Sequence, residues 1–354
     1  MTNTGDSTTV FTIENIKAGR YKLVALKDEN TDNKFQQKSD KIAFYDEIIT
    51  VGQDSVFYDL ELFKEAVNFK ATKPRLVSGE KIAFGFEGNY KEMEIKNISK
   101  TPKDFNASVI KEYDKDTLLY YYSPKLKVDS LLFQVKSHKT IDTFTVRIKE
   151  NLKDSLVITS LNKGKINFED DLKLYANTPF KRIDERKITI LDKDSTKVRF
   201  TTSLDSLNNV YRFKFNLTED NRYNIQALPE AFTDFFDRKN DTLNTSVSTS
   251  KYASFGDIRI RLTNEIYPLF IQFVDDKNEV QYSQYLTKSQ KIDFNNIVPN
   301  TYYLRVLFDE NKNGVYDSGN YLRHEQPERV SYSNKPLEVR AGWEEVIDFK
   351  LDKE

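Results

Sequence analysis

Apolar and polar residues alternate in runs along most of the chain. Phe144, Val146 and Ile148 are interleaved with Thr145 and Arg147; Tyr211, Phe213, Phe215 and Leu217 with Arg212, Lys214 and Asn216; Ile258, Ile260 and Leu262 with Arg259 and Arg261. A period of two places every second side chain on one face of a strand, so each run predicts a strand with one buried face. Turn clusters, such as Asp192 to Ser195 and Asn208-Asn209, separate the runs by about ten residues, the spacing of β-sandwiches. One segment departs from this period. From Pro229 to Asp237, Pro suits a first helical position and Phe232, Phe235 and Phe236 share a face at three- and four-residue spacing, which predicts a short helix crossing the end of a sandwich. Leu152 to Leu161 reads as a closing strand and a new strand series follows Asn167, so a boundary is expected near Asn162.

Sliding the sequence on itself at a constant offset of 281 exposes an internal repeat. Asn15, Ile16, Tyr21, Leu23, Leu26, Asp28, Glu29 and Asn30 coincide with Asn296, Ile297, Tyr302, Leu304, Leu307, Asp309, Glu310 and Asn311, eight identities in sixteen positions without a gap. In each copy a polar turn, Lys17 to Arg20 or Val298 to Thr301, leads into an alternating strand and an Asp/Asn-rich loop. A closing strand follows, Tyr58 to Leu62 or Ile347 to Leu351. The intervening stretch, of a length that suits two sandwiches, completes an all-β chain of four tandem modules: 1–65, 66–161, 162–255 and 256–354.

Composition narrows what such a chain does. The 354 residues carry 54 Lys+Arg against 55 Asp+Glu, a net charge of −1, so neither a nucleic-acid-seeking surface nor an acidic tail is indicated. Hydrophobic residues at 38% and aromatics at 13% suffice for packed cores. No run approaches 18 apolar residues, and the first residues have neither a basic nor an apolar signal region, so any export signal is expected outside this sequence. Without cysteine, disulfides, thiolate metal sites and cysteine nucleophiles are excluded, and a lipid anchor could only lie outside the chain. The two histidines, His138 and His324, lack a second imidazole at a metal-ligand spacing. No nucleophile elbow, His-Glu-x-x-His helix, Walker loop or dinucleotide fingerprint occurs, and the chain reads as a non-enzyme.

One loop has chemistry that can be written residue by residue. Asp309, Asn311, Asn313, Asp317 and Asn320 occupy positions 1, 3, 5, 9 and 12 of a calcium-type loop, with Gly314 at the sharp turn and the Val315 carbonyl at position 7. A structural calcium ion held by Asp309, Asn311, Asn313, Val315 and Asp317 is one reading. A polar hairpin loop, its Asn and Gly residues at positive φ and its side chains capping their own backbone, is the other. In the first copy Asp28, Asn30 and Asp32 keep positions 1, 3 and 5, but Asn33 replaces the Gly, Gln36 stands at 9, and Asp40 comes one residue late, which favours a plain loop. Among aromatics, Tyr120-Tyr121-Tyr122 on one strand should expose at least one ring, able to stack on a sugar or anchor a partner, while Trp343 beside Gly342 is expected to plug a core.

The run from Tyr302 to Tyr321, with Gln326 to Val330 and Val339 to Trp343, resembles the last module of bacterial Ig-like-domain lipoproteins of Bacteroidota. Lys181 to Asp192 and Leu228 to Phe236 are similar to the Ig-like unit of that family. The resemblance implies transthyretin-like or collagen-adhesin B-type modules at the two ends and Ig-like sandwiches between them. It also implies a cell-envelope, outer-membrane-associated location reached through a lipid anchor outside this sequence, and a non-catalytic scaffold or protein-binding role with an envelope protein as partner. Asp followed by Ser or Thr and then an aliphatic residue or Thr, at Asp6, Asp54, Asp116, Asp129, Asp154, Asp194, Asp205 and Asp241, is similar to the O-glycosylation acceptor of exported proteins in that group, though hairpins need the same triplet. The alternative is a carbohydrate-binding or glycan-processing surface protein, using exposed tyrosine and a carboxylate pair.

Overall fold

The computed structural model describes residues 10, 12–52, 54–137, 140–149, 154–263, 266–333 and 335–351. It is all-β, as the alternation predicts, with three short 3-10 turns and no α-helix among the described residues.

The first unit holds β1 (Gly19–Tyr21), β2 (Val24–Lys27), β3 (Lys41–Phe44) and β4 (Ile49–Val51), paired as β1–β4 and β2–β3. Its apolar cluster is small: Ile42, Phe44 and Phe63, joined by Phe35 and by Tyr321 from the far end of the chain. Of the expected closing segment, Tyr58 to Leu62 forms no ladder; Phe63 alone bridges to Ile42.

The second unit contains β5 (Lys70–Ala71), β6 (Arg75–Ser78), β7 (Lys81–Glu87), β8 (Glu94–Asn97), β9 (Asn106–Lys111), β10 (Thr117–Ser123), β11 (Ser130–Ser137) and β12 (Thr140–Arg147). One sheet runs β5–β7–β10–β9 with β6 on β7, the other β12–β11–β8. Alternate residues of the two sheets, Ile82, Phe84 and Phe86 with Leu131, Phe133 and Val135, meet in one core.

The third unit contains β13 (Ile158–Ser160), β14 (Leu172–Ala176), β15 (Phe180–Ile183), β16 (Ile188–Leu191), β17 (Thr201–Asp205), β18 (Val210–Lys214), β19 (Arg222–Ala227), β20 (Phe232–Asp234) and β21 (Leu243–Ser248). Its sheets are β13–β14–β18–β17, β16–β19–β21 and the pair β15–β20. Two expectations are corrected here. The segment ending at Leu161 does not close the second unit, because β13 pairs with β14 and opens the third sheet system, so the break lies before Ile158 rather than near Asn162. The helix expected from Pro229 to Asp237 is instead strand β20 with tight turns: Phe232 points into this unit's core, while Phe235 and Phe236 pack on the second unit. Phe235 and Phe236 lie in the turn that follows β20, where tertiary packing on the second unit overrides the three-four spacing.

The fourth unit contains β22 (Gly256–Thr263), β23 (Leu269–Val274), β24 (Val280–Leu286), β25 (Ile292–Ile297), β26 (Asn300–Phe308), β27 (Val330–Tyr332), β28 (Leu337–Val339) and β29 (Glu344–Lys350). One sheet is β25–β22–β29, with β22 and β29 parallel; the other is β24–β23–β26–β27, with β28 also on β26. Ile258, Ile260, Ile271, Phe273, Phe294, Leu304 and Val306 fill the space between them.

The sequence repeat is also a repeat of conformation. Residues 19–27 of β1 and β2 correspond to 300–308 of β26, and Gly19↔Val51 to Tyr21↔Ile49 matches Asn300↔Val339 to Tyr302↔Leu337 position by position. Tyr21 donates to the Lys17 carbonyl at 2.6 Å and Tyr302 to the Val298 carbonyl at 2.7 Å. Positive φ recurs at Asn15 and Asn296, Thr31 and Lys312, and Asn33 and Gly314. Past the loop the register lengthens by seven residues, from 281 to 288, so Ile42 corresponds to Val330 and Asp40 to Glu328.

Candidate functional site

The Asp309 loop leaves the end of β26, where its backbone N–H donates to the Pro268 carbonyl at 3.1 Å and the side chain is fully buried. A buried carboxylate must be compensated. Tyr285 donates its hydroxyl at 2.6 Å, and the backbone amides of Asn313 and Gly314 donate at 3.0 and 2.9 Å. Burial is the largest influence on its pKa and acts upward, but the Tyr285 hydroxyl and the amides of Gly314, Asn313 and Lys312 together hold the carboxyl below its ordinary value. The same bond to Asp309 pushes the Tyr285 phenol up.

Around this anchor Asn311 and Asn313 donate their side-chain amides to Asp317 at 2.5 and 2.6 Å, and their side-chain oxygens accept from the backbone N–H groups of Asn313 and Val315. Val315 points its side chain to solvent, and Gly314 takes the turn at φ 80°. Asn320, at the twelfth position, lies in the following excursion and bridges to Glu325. The five residues proposed for calcium are thus gathered in one loop. To face a cation, Asn311 and Asn313 would have to turn toward it the oxygens that now hold backbone amides. The first copy adopts the same turn without the full ligand set: Asp28 accepts from the amides of Asn30 at 3.1 Å and Asn33 at 2.6 Å. Among the described residues no group of three or more His, Cys, Asp or Glu side chains converges on one point.

A second carboxylate closes each loop from below. Glu328 accepts from the amides of Asn311 at 3.2 Å and Asp317 at 2.9 Å; Asp40, its counterpart, accepts from those of Glu29 at 3.2 Å and Gln36 at 2.7 Å. For Asp40 burial again acts upward, and Ser39 with the two amides outweighs it, so its pKa lies low. No motif pointed to Glu328. Its only sequence signal is an acid just before an apolar alternation, in register with Asp40 once seven residues are allowed for.

The segment that carries those seven extra residues lands on the first unit and on Ala66 just after it. Ser318 Oγ accepts from the Ala66 amide at 2.9 Å, buried Glu65 accepts from the Tyr321 amide at 2.6 Å, and Gln326 donates to the Phe44 carbonyl and to Asp46 at 2.9 and 3.0 Å. The Tyr321 and His324 rings meet Phe44 edge-on at 5.5 and 6.0 Å between centroids. Gly319 is required by this approach, since a Cβ there would lie 2.7 Å from the Phe63 ring and 2.6 Å from the Glu325 carbonyl. His138 lies outside the described residues.

Another concave surface joins the second and third units. A cavity of 270 Å³ is lined by Lys81, Tyr121, Asp154, Thr178, Phe236 and Arg238 among others. Lys81 and Asp154 pair at 2.8 Å, Arg238 and buried Asp234 at 2.7 Å, and Tyr121 donates to the Asn177 carbonyl at 2.6 Å. The expectation that one of three tyrosines is exposed fails here. Tyr120 and Tyr122 face the core of the second unit, and Tyr121, on the opposite face, lies under Phe236 of the third, so all three are buried. Burial pushes the phenols of Tyr120 and Tyr122 up to about 12, and Tyr121 higher still. Trp343 does not plug a core: it is 55% exposed, with the Arg340 guanidinium stacked 4.8 Å from its ring.

No family model matches the chain, and no curated protein does. Among solved structures it is similar to domains 4–9 of the surface layer protein SbsC, at 11% identity and a TM-score of 0.27 over 82% of this chain and 52% of that one. It is similar as well to domains A168–A170 of titin (9% identity, TM-score 0.20, 79% of this chain and 99% of that one). A third is the N-terminal four Ig domains of Dscam1 (11%, 0.21, 70% and 76%). The chain spans about half the length of the SbsC structure. No helix among the described residues is long and apolar enough to cross a membrane.

Proposed function

We propose that the chain is a non-catalytic scaffold segment of the cell envelope that presents tandem β modules to a protein partner. The observation that carries this reading is the use to which its most chemically capable groups are put. Glu65, Ser318, Gln326 and Tyr321 tie the last unit to the first, while Tyr121 and the Lys81–Asp154 pair sit at the junction of the second and third. Polar groups paired across module boundaries, with Glu65 and Tyr121 buried among them, fix the modules against one another, which serves a spacer or docking platform. Membership of the Ig-like lipoproteins, and with it an outer-membrane-associated location, belongs to the same proposal and rests on the resemblance of the C-terminal run. Affinity capture from envelope extracts of a bacterium carrying the gene, with the full chain as bait, should return a specific envelope protein. Return of no protein, or turnover of a glycan by the purified chain, would overturn it. The carbohydrate-binding alternative drew on exposed Tyr121 or Tyr122, and their burial removes that support.

A further inference from the structure

The two copies of the Asp/Asn loop close the same ring of hydrogen bonds with opposite chemistry. In the first copy the fifth position is an acid, Asp32, and the ninth an amide, Gln36, which donates to Asp32 at 2.7 Å and accepts from the Asn30 side chain at 2.8 Å. In the fourth unit the order is reversed. Asn313 stands fifth and donates to Asp317, the ninth residue, at 2.6 Å, and Asn311 donates to the same carboxylate. Each ring thus holds one carboxylate at these two positions and faces it with an amide donor. Asn313 is followed by Gly314, and the two form the sole Asn-Gly pair of the chain. A glycine has no Cβ to shield its backbone nitrogen from the side chain before it, so this pair is open to a reaction that a bulkier neighbour resists.

We infer that Asn313 is a deamidation site which the closed loop holds in check, and that its conversion to a carboxylate loosens the seat of the last unit on the first. In the reaction the Gly314 nitrogen bonds to the side-chain carbonyl carbon of Asn313 and the bond from that carbon to Nδ2 breaks. Nδ2 takes up the proton that the Gly314 nitrogen loses and leaves as ammonia. Water then opens the cyclic imide at either carbonyl, so water is consumed, ammonia is released and residue 313 becomes aspartate or isoaspartate. In the folded loop the reacting groups are all engaged. Gly314 N–H donates to Asp309 at 2.9 Å, Asn313 Oδ1 accepts from Val315 N–H at 2.8 Å, and Nδ2 is held by Asp317. Ionised Asp309 is a strong acceptor for that N–H and, with its pKa low, a poor base for its proton, so it restrains the nucleophile rather than activating it. The product no longer fits the ring: acids at both 313 and 317 set like charges where a donor met an acceptor, without the amide that Gln36 supplies in the first copy. Asp317 N–H donates to Glu328, and the next residue, Ser318, accepts from Ala66 N–H, so a loop forced open here pulls directly on the junction. Deamidation is thus a covalent record of loop opening, and it favours the open state.

The test uses the full chain, held in mildly alkaline buffer with and without denaturant, and reads by mass spectrometry the peptide that contains residue 313. The native chain should deamidate there about tenfold or more slowly than the denatured one, because reaction waits on an opening that the closed loop rarely makes. The consequence is read separately. Asn313→Asp, which installs the acid from the start, should quicken amide exchange at Ala66 and Tyr321, whose N–H groups donate across the junction, by about tenfold or more. Asn313→Asp combined with Asp317→Gln reproduces the order of the first copy and should return that exchange to the parent rate. No reaction at residue 313 in the denatured chain, or equal rates in the native and denatured chains, would overturn the proposal. Unchanged exchange in Asn313→Asp would overturn it as well, since the ring would then not seat the junction. So would a double variant that exchanges as fast as the single one, because the fault would lie in residue 313 alone and not in the paired charges.

Discussion

Asp309 shows how a residue chosen for one chemistry can be committed to another. Its folded pKa is lowered, as is that of Asp40, so the stability each contributes is fully present above the unfolded carboxyl value of 3.8 and is lost as pH falls through the lower folded value. The melting temperature should therefore be flat from neutral pH to about 5 and fall below about 4. Asp309→Asn should melt lower at neutral pH, with an amide donor facing the Asn313 and Gly314 amides, and the gap should close as the medium is acidified. A gap that widens in acid would contradict the assignment. Tyr121 makes the complementary case. Tyr121→Phe leaves the ring between the second and third units and removes only the bond to Asn177, so it should cost about 1 kcal/mol in denaturant unfolding. Glycan-array binding, if any is found, should be unaffected by the same change.

At the scale of elements, the Asp/Asn loop poses the clearest choice. If calcium binds, turning the oxygens of Asn311 and Asn313 toward the ion beside Asp309, Asp317 and the Val315 carbonyl, then millimolar calcium should raise the melting temperature of the full chain over chelator, and Asp317→Ala should abolish the difference. If the loop is held by its own hydrogen bonds, as the matching turn at Asp28 suggests, the curves will coincide. Strands were legible wherever one face was buried: the alternations at Phe144, Tyr211 and Ile258 fall in or across β12, β18 and β22. They misled where both faces are covered. Tyr120 to Tyr122 looked half-exposed because nothing local announces that Phe235 and Phe236 will cap the outer face, and with Phe232 those phenylalanines imitated a helix because two of the three rings pack on another unit. The loop was found by spacing, and Asp40 was read there only as a carboxylate one residue late; that Asp40 and Glu328 close the two loops was not legible, since each is recruited by backbone amides brought together only in the fold.

The whole molecule depends on contacts between residues far apart in sequence. Ala66 and Ser318 are 252 positions apart and hydrogen-bonded, and Phe63, Phe44 and Tyr321 make the apolar side of the same junction. Such closure joins units that a linear string would leave free to move, and it raises the effective concentration of one end at the other far above that of a flexible tether. Because the chain has no cysteine, Ala66→Cys with Ser318→Cys places two unique thiols at the junction. A short bismaleimide should link them within one chain at high dilution, giving a monomer of altered mobility. Phe63→Ala removes a buried ring from the junction at a cost of about 3 kcal/mol, and Gly319→Leu drives a side chain into the space Phe63 occupies. Either change should sharply reduce the intrachain product while strand content stays as before, because the cores of the other three units lie elsewhere. A link that forms only between chains, or one indifferent to both substitutions, would mean that the first and last units are held apart in solution.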